Sequence, residues 1–265
     1  MRGASDGKSV ADAPVSAVLL ERGGYRARLA QTAQDLLQAQ QLRGRCFRTE
    51  VRDQDPYDAA CLHVLIESQA CGDLVGCFRL MVLESGQAIA QSYSAQFYDL
   101  SRLSKFPERM MELGRFCIDP GVQDADILRL AWAAVTDMVD QQSVALLFGC
   151  SSFAGTTPET YTEAFALLQR RHLAPDRWRP GHAARETRCF DALLHDRAEG
   201  QKPDLKLAQA QLPPLLRSYL TMGGWVSDHV VIDADLNTCH VFTGLEVKAI
   251  PATRKRLLRS AAQQS

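Results

Sequence analysis

Thirty Lys and Arg against thirty-one Asp and Glu leave this chain with a formal charge of −1. It therefore lacks the excess of either sign that would draw it as a whole to nucleic acid or anionic lipid. No Cys-x-x-Cys pair occurs among Cys46, Cys61, Cys71, Cys77, Cys117, Cys150, Cys189 and Cys239. Cys77, Cys117 and Cys150 sit inside apolar runs and read as small hydrophobes. That excludes a zinc or disulfide framework and points to a reducing compartment. No apolar run approaches the roughly 20 residues that cross a bilayer, and residues 1–15 have no apolar signal core. A soluble cytoplasmic protein is expected. Missing too are a G-x-G-x-x-G turn, a P-loop lysine motif and a G-x-S-x-G elbow, so Ser151 and Ser152 are poor nucleophile candidates. His63, His172, His182, His195, His229 and His240 are scattered, with no H-x-x-x-H helix, and no metal is expected.

The chain has enough apolar residues, 46%, to bury a sizeable core. Residues 1–20, rich in Ala, Ser, Asp and Gly, read as a tail. No repeat or linker divides 21–265, which is expected to form a single domain. Tyr25–Ala30 alternates as a strand does, and Thr32 can cap a helix over 33–45 with Leu36, Leu37 and Leu42 toward the core. Beyond an acidic loop at 50–58, Leu62–Ser68 and Leu74–Leu83 predict a hairpin about Gly72-Asp73. Gly76 within it marks a bulge or a close approach. A connection at 86–106, expected to include a short helix, leads to an apolar strand that stops at Asp119-Pro120-Gly121. From Asp124 or Asp126 to Gln142, Ile127, Leu130, Ala131, Ala134, Val135 and Met138 fit a helical period. A strand at 144–148, a helix over 159–172 opened by Pro158, strands at 230–232 and 241–247, and a basic helix at 254–259 complete the series. This order predicts a mixed α/β sheet covered on both faces, not a doubly wound nucleotide-binding series.

The strand at 110–118 carries the polar anomalies. Glu112 and Arg115 stand three apart in an apolar run, where either would be costly to bury unpaired. They form a structural pair, or they are exposed in a cleft where the sheet opens. Arg79 interrupts the preceding apolar strand and is either solvent-facing or a third member of the set. Residue chemistry alone gives a soluble α/β enzyme or binding domain and names no reaction.

The element order and Met111-Glu112-Leu113-Gly114-Arg115 resemble the GNAT superfamily of N-acyltransferases. Gly76-Cys77-Phe78-Arg79-Leu80, Glu112-Leu113-Gly114-Arg115-Phe116 and the spaced acids of Asp55-Pro56-Tyr57-Asp58 are similar to acyl-homoserine-lactone synthases within it. A longer likeness, over 25–247, is to ornithine-lipid N-acyltransferases. It is carried by Leu147-Phe148-Gly149-Cys150-Ser151-Ser152-Phe153, His172-Leu173-Ala174-Pro175, Leu212–Leu220 and the stretch 225–238. Phe116 and Leu62 depart from the ornithine pattern, where a small residue and an acid are expected.

The resemblance implies a GNAT-type, mostly antiparallel mixed sheet flanked by helices, with an elaborated C-terminal segment. It implies transfer of a 3-hydroxyacyl group from acyl carrier protein to the α-amine of ornithine, giving lyso-ornithine lipid. The donor is then a phosphopantetheine thioester, and no cofactor is permanently bound. Acylation of another amino acid such as glutamine or lysine, synthesis of an acyl-homoserine lactone, and a non-catalytic acyl-binding module are the alternatives. Glu112 becomes the candidate base, with Arg115 orienting it or binding the acceptor's carboxylate, a role for which Arg79 competes. Asp55 and Asp58 join the substrate site. Asp228 is the candidate for the second ammonium, with Asp233 and Asp235 as further acids that serve either there or in turns. Phe116, Cys117, Ile118, Phe148 and Ser151 would hold the acyl and pantetheine chain, with backbone N–H groups beside Phe116 and Cys117 as oxyanion donors. An acyl-Cys117 step is disfavoured by apolar burial. Asp124 and Asp126 would repel the pyrophosphate of coenzyme A, which favours a carrier-protein donor. Such carriers are acidic, so 170–188 and Lys248 with Arg254–Arg259 are candidate docking surfaces. The C-terminal helix could instead make peripheral contact with the inner membrane.

Overall fold

A computed structural model describes residues 18–47, 51–198 and 200–263. The elements begin β1 (Val18–Arg22), β2 (Tyr25–Leu29), α1 (Ala33–Phe47), β3 (Leu62–Ser68), β4 (Leu74–Leu83) and β5 (Tyr98–Asp99). They continue β6 (Met110–Ile118), α2 (Ala125–Gln141), β7 (Leu146–Ala154), α3 (Thr162–Arg171), β8 (Gly181–His182), β9 (Thr187–Cys189) and α4 (Phe190–Leu193). The chain closes with α5 (Leu205–Gln211), α6 (Pro214–Thr221), β10 (Trp225–Val226), β11 (His229–Asp233), β12 (Thr238–Glu246) and α7 (Ala252–Gln263).

Local chemistry sets the helix starts. Thr32 Oγ1 accepts from the Asp35 N–H while Asp35 Oδ2 accepts from the Thr32 N–H, a reciprocal cap at α1. Asp124 caps α2 through the Asp126 N–H at 2.8 Å. Pro158 opens a 3₁₀ turn, Pro158–Tyr161, and the helix proper begins only at Thr162. The 86–106 connection contains 3₁₀ turns in place of the expected helix. Of the polar stretch read as a tail, residues 1–17 lie outside the described residues, and Val18–Leu20 belong to β1.

The large sheet runs β1-β2-β3-β4-β6-β7-β12-β11-β9, with β10 also on β12. Among the described residues β6–β7 is its one parallel ladder, and α2 is the crossover that makes it possible. The sheet is thus mixed and mostly antiparallel. Alternation then divides the strand residues. Met111 and Leu113 of β6 and Phe78 and Leu80 of β4 pack in one core with Ile127, Leu130, Ala134 and Met138 of α2. Cys77 and Arg79 therefore project to the opposite face, where Cys77 packs with Ala39 and Leu42 of α1. Glu112 projects to that face too, beneath the 86–106 connection.

Two bulges shape the centre. The register of β3 and β4 shifts opposite Gly76, as its glycine suggested. On β6, Gly114 pairs Arg79 and Cys117 pairs Cys77, so β6 holds one extra residue there. Arg115, inside that bulge, has φ +52°, a conformation costly for a side chain of its size. The parallel ladder joins Met110 to Leu146, Met111 to Leu147 and Glu112 to Phe148, and then ends. Beyond Glu112 the two strands diverge. Gly149 sits at the fork, where a Cβ would run into the Leu113 carbonyl oxygen. Gly149→Ala is therefore expected to cost about 1–3 kcal/mol, as overpacking typically does. A urea midpoint equal to the parent's would refute this close approach.

Candidate active site

The fork opens into a cavity of about 350 Å³, lined on the β6 side by Glu112 and the run Leu113–Ile118. Cys150, Ser151 and Ser152 of β7 face it, Pro213–Leu216 close its apolar end, and Asp233 and His240 reach it from β11 and β12. Among the described residues, both strand edges here lack a ladder partner across the gap. A flexible chain of amide groups, as in a pantetheine arm, can be held by such edges as an added strand is.

Glu112 is only 4% exposed and is held by donors from the 3₁₀ turn Tyr93–Gln96. Oε1 accepts from the Ser94 N–H at 2.8 Å and the Ser94 hydroxyl at 2.5 Å, and Oε2 from the Tyr93 N–H at 2.8 Å. Burial raises its pKa above the ordinary value, against the pull of those hydrogen bonds. A carboxylate has about four acceptor positions. Among the described residues three are filled, and the open one is on Oε2.

Arg115 does not pair with Glu112. Its Nε lies 3.0 Å from Asp53 Oδ2 and its Nη2 3.1 Å from Asp55 Oδ2. The expected local pair is replaced because the bulge turns Arg115 toward α1 and the 51–58 loop. There it joins a closed ring of alternating charge. Asp55 binds Arg79 through both oxygens, at 2.6 and 2.8 Å. Arg79 also reaches Asp58 at 2.6 Å, Asp58 meets Arg43 at 2.7 Å, and Arg43 meets Asp53 at 2.6 Å. Arg79 is thus buried rather than solvent-facing, and Arg79, Asp55 and Asp58 are engaged with one another outside the cavity lining. Burial alone would raise the Asp58 pKa, but Arg43, Gln40 and Arg79 outweigh it and bring it down to about 2. Of the three arginines only Arg115 lines the cavity, its guanidinium 4.6 Å over the Tyr93 ring.

Other expected site residues divide. Phe116, Cys117, Ile118 and Ser151 line the cavity. Phe148 does not: it is fully buried on the core face of β7, 5.8 Å from the Phe242 ring. A contact from Cys46 lowers the Cys117 thiol pKa, yet Cys77 at 3.6 Å and burial prevail and hold it well above the usual value. That is the opposite of an activated nucleophile. Asp228 lies outside the cavity lining and accepts from His229 Nδ1 at 2.8 Å. His182 approaches both, but its ring stacks on His229 at 3.8 Å and 19°. Lone pairs in two parallel rings do not converge on one ion, so this trio as placed is not a metal cage.

Arg43 and Asp53 in the ring, Ser94 on Glu112 and His240 at the cavity are not singled out by the sequence. Arg43 had a detectable signal: with Asp35, Ala39 and Leu42 it lies on the buried stripe of α1, an odd place for a charge. The donors to Glu112 are largely backbone groups and have no such signature.

Known proteins resemble this chain along most of its length. Residues 38–133 match the family described as "Acetyltransferase (GNAT) domain". The L-ornithine N(alpha)-acyltransferase of Brucella abortus is 30% identical over 88% of this chain and 89% of its own. That of Rhizobium meliloti is 30% identical over 92% of this chain and 86% of its own. Among solved structures, FeeM, an N-acyl amino acid synthase from uncultured soil microbes, aligns at a TM-score of 0.48 and 10% identity over 91% of this chain and 98% of that one. The chain thus belongs to the L-ornithine N(alpha)-acyltransferase family and is an N-acyltransferase built on the GNAT domain.

Proposed function

We propose that the enzyme moves a 3-hydroxyacyl group from the phosphopantetheine thioester of an acyl carrier protein to the α-amine of ornithine, forming lyso-ornithine lipid. The observation that carries this reading is the β6–β7 fork, which places one buried carboxylate with an open acceptor position beside two unpaired strand edges. The names of relatives that match along nearly the whole chain supply the acceptor.

An ammonium has no lone pair, so the α-amine must lose a proton to attack. Glu112 Oε2, directly or through a water, takes it. The new N–C bond forms as the thioester oxygen gathers charge, and N–H groups in the Arg115 bulge are placed to receive that oxyanion. The C–S bond then breaks, and the pantetheine sulfur leaves and ends as a thiol. Arg115 spends Nε and Nη2 on aspartates, and Nη1 makes no ion pair among the described residues. That edge can receive the acceptor's carboxylate.

The donor is read as a carrier protein because the N-terminus of α2 is already filled. Asp124 Oδ1 takes the Asp126 N–H there, and its Oδ2 takes the Tyr25 hydroxyl at 3.0 Å. A coenzyme A pyrophosphate would meet a carboxylate where it needs donors. Arg170, Arg171, Arg185 and Arg188 are exposed and offer the acidic carrier a basic face. α7, exposing Arg254, Arg256 and Leu257, is the part suited to an anionic membrane surface.

The test uses purified enzyme, ornithine, and either 3-hydroxyacyl carrier protein or the matching coenzyme A thioester, read by product mass. A 3-hydroxyacyl-ornithine formed at least about 10-fold faster from the carrier protein is expected, as a surface tuned for charge complementarity gives. Equal rates from both donors would remove the carrier-protein reading, and no acylated ornithine from either would remove the acceptor.

A further inference from the structure

Glu112 has a counterpart at the cavity. Asp233, the last residue of β11, lines the same space and is 8% exposed. Its Oδ1 accepts from the Leu236 N–H at 3.1 Å, which closes the turn into β12. Among the described residues no Arg, Lys or His forms an ion pair with it, and no hydrogen bond occupies Oδ2. A buried carboxylate without a cation is expensive, and proteins seldom leave one so.

The strand register puts a second acceptor beside it. Asp233 stands opposite Thr238, and His240, two residues on, projects from the same face of β12. His240 also lines the cavity and is 2% exposed. The Tyr98 hydroxyl donates to the His240 carbonyl at 2.9 Å and therefore receives the Nδ1 proton at 3.0 Å. Among the described residues Nε2 is left as a buried bare acceptor with no partner. Burial pushes His240 down to about 3, so the ring stays neutral and cannot serve as the missing cation. A carboxylate at the cavity and a buried bare acceptor on the same sheet face, with no cation to answer them, are the complement of a ligand ammonium.

We infer that Asp233, with Nε2 of His240 beside it, binds the side-chain ammonium of the acceptor, so that the enzyme selects a diamino acid over a monoamino acid of the same length. This rests on ornithine as acceptor. Glu112 then serves the α-amine and Asp233 the δ-ammonium, from opposite walls of one cavity. Glutamine, with a neutral side-chain amide, would leave the aspartate charge uncompensated.

The experiment compares kcat/KM for ornithine with that for norvaline, which has the same carbon chain and no δ-amine, in the parent and in Asp233→Asn. An asparagine still accepts from Leu236 through its carbonyl oxygen, so the turn survives. The ornithine-to-norvaline ratio is expected to fall by about 10- to 100-fold, chiefly through KM, as loss of one charge-assisted contact does. A purely structural role would slow both amines together and leave the ratio fixed, and that result would overturn the assignment. Asp233→Glu keeps the charge and is expected to retain a preference for ornithine, which guards against a folding artefact. A parent enzyme that fails to acylate ornithine would overturn the acceptor reading and this inference with it. A parent that acylates ornithine, with an unchanged ratio in Asp233→Asn, would overturn this inference alone.

Discussion

Glu112→Gln will lower kcat by about 10²- to 10⁴-fold, the usual contribution of a positioned general base. The side chain keeps its length, but an amide cannot take the proton that the attacking amine must lose. The parent's pH profile carries a second signature. Glu112 works only when ionised, and burial raises its pKa. The acid limb of kcat/KM is therefore expected above the ordinary carboxylate value of about 4.3. Ser94→Ala removes the hydroxyl that donates to Oε1 and so favours the ionised form less. Its acid limb must move further up in pH, with the rate at the plateau retained far better than in Glu112→Gln. Stability runs the opposite way with pH. A carboxyl whose folded pKa is raised favours the fold in its protonated form, and that contribution is lost as pH rises through the folded pKa. Since the glutamine amide would face one of the three donors, a melting curve must accompany the kinetics. A correctly folded Glu112→Gln within about fivefold of the parent would exclude Glu112 as the base, because it falls far below the contribution expected of one.

What could be read in advance follows from how local each signal is. The helices at 33–47 and 125–141 carry their caps and apolar stripes within the segment itself, and both stand close to where spacing puts them. The hairpin of β3 and β4 and its bulge at Gly76 are local in the same sense. Arg115 shows where this ends. Spacing offered Glu112 as its neighbour, but its actual partners lie 62 and 60 positions away in the loop before β3. Only the pairing of β4 with β6 and the packing of α1 across them bring those groups together. Asp228 and Asp233 make the same point at the other wall. They flank β11 at its two ends, and only the folded chain tells that Asp233 lines the cavity while Asp228 holds His229. Phe148 is an error of a third kind. On an apolar strand the sequence does not reveal which face meets the cleft, and Phe148 points into the core against Phe242.

The ring that fixes Arg115 carries the largest stability effect. Arg43→Met is expected to lower the free energy of unfolding by about 3–5 kcal/mol, the cost of breaking a buried charge network by removing one partner. Arg43 is 1% exposed and bridges Asp53 and Asp58. Without it three aspartates share two arginines, and one negative charge is left uncompensated away from water. If charge balance is the cause, Asp53→Asn in the Arg43→Met background should recover part of the loss, although Asp53→Asn alone is destabilising. Such non-additivity in urea midpoints, at constant m-value, separates an electrostatic origin from the mere loss of a packed side chain. The ring also sets an acid limit. Asp58 is held at about 2 in the fold against about 3.9 in an unfolded chain. Its contribution is complete above the higher value and is lost as pH falls through the lower one. Activity should fall with the ring as well. Asp53 and Asp55 hold the strained Arg115 in place, and the same bulge carries the N–H groups assigned to the oxyanion. An Arg43→Met enzyme that loses less than about 1 kcal/mol would mean the ring is dispensable, because so small a loss is typical of an exposed pair. The geometry of the β6 bulge would then have to come from the strands alone.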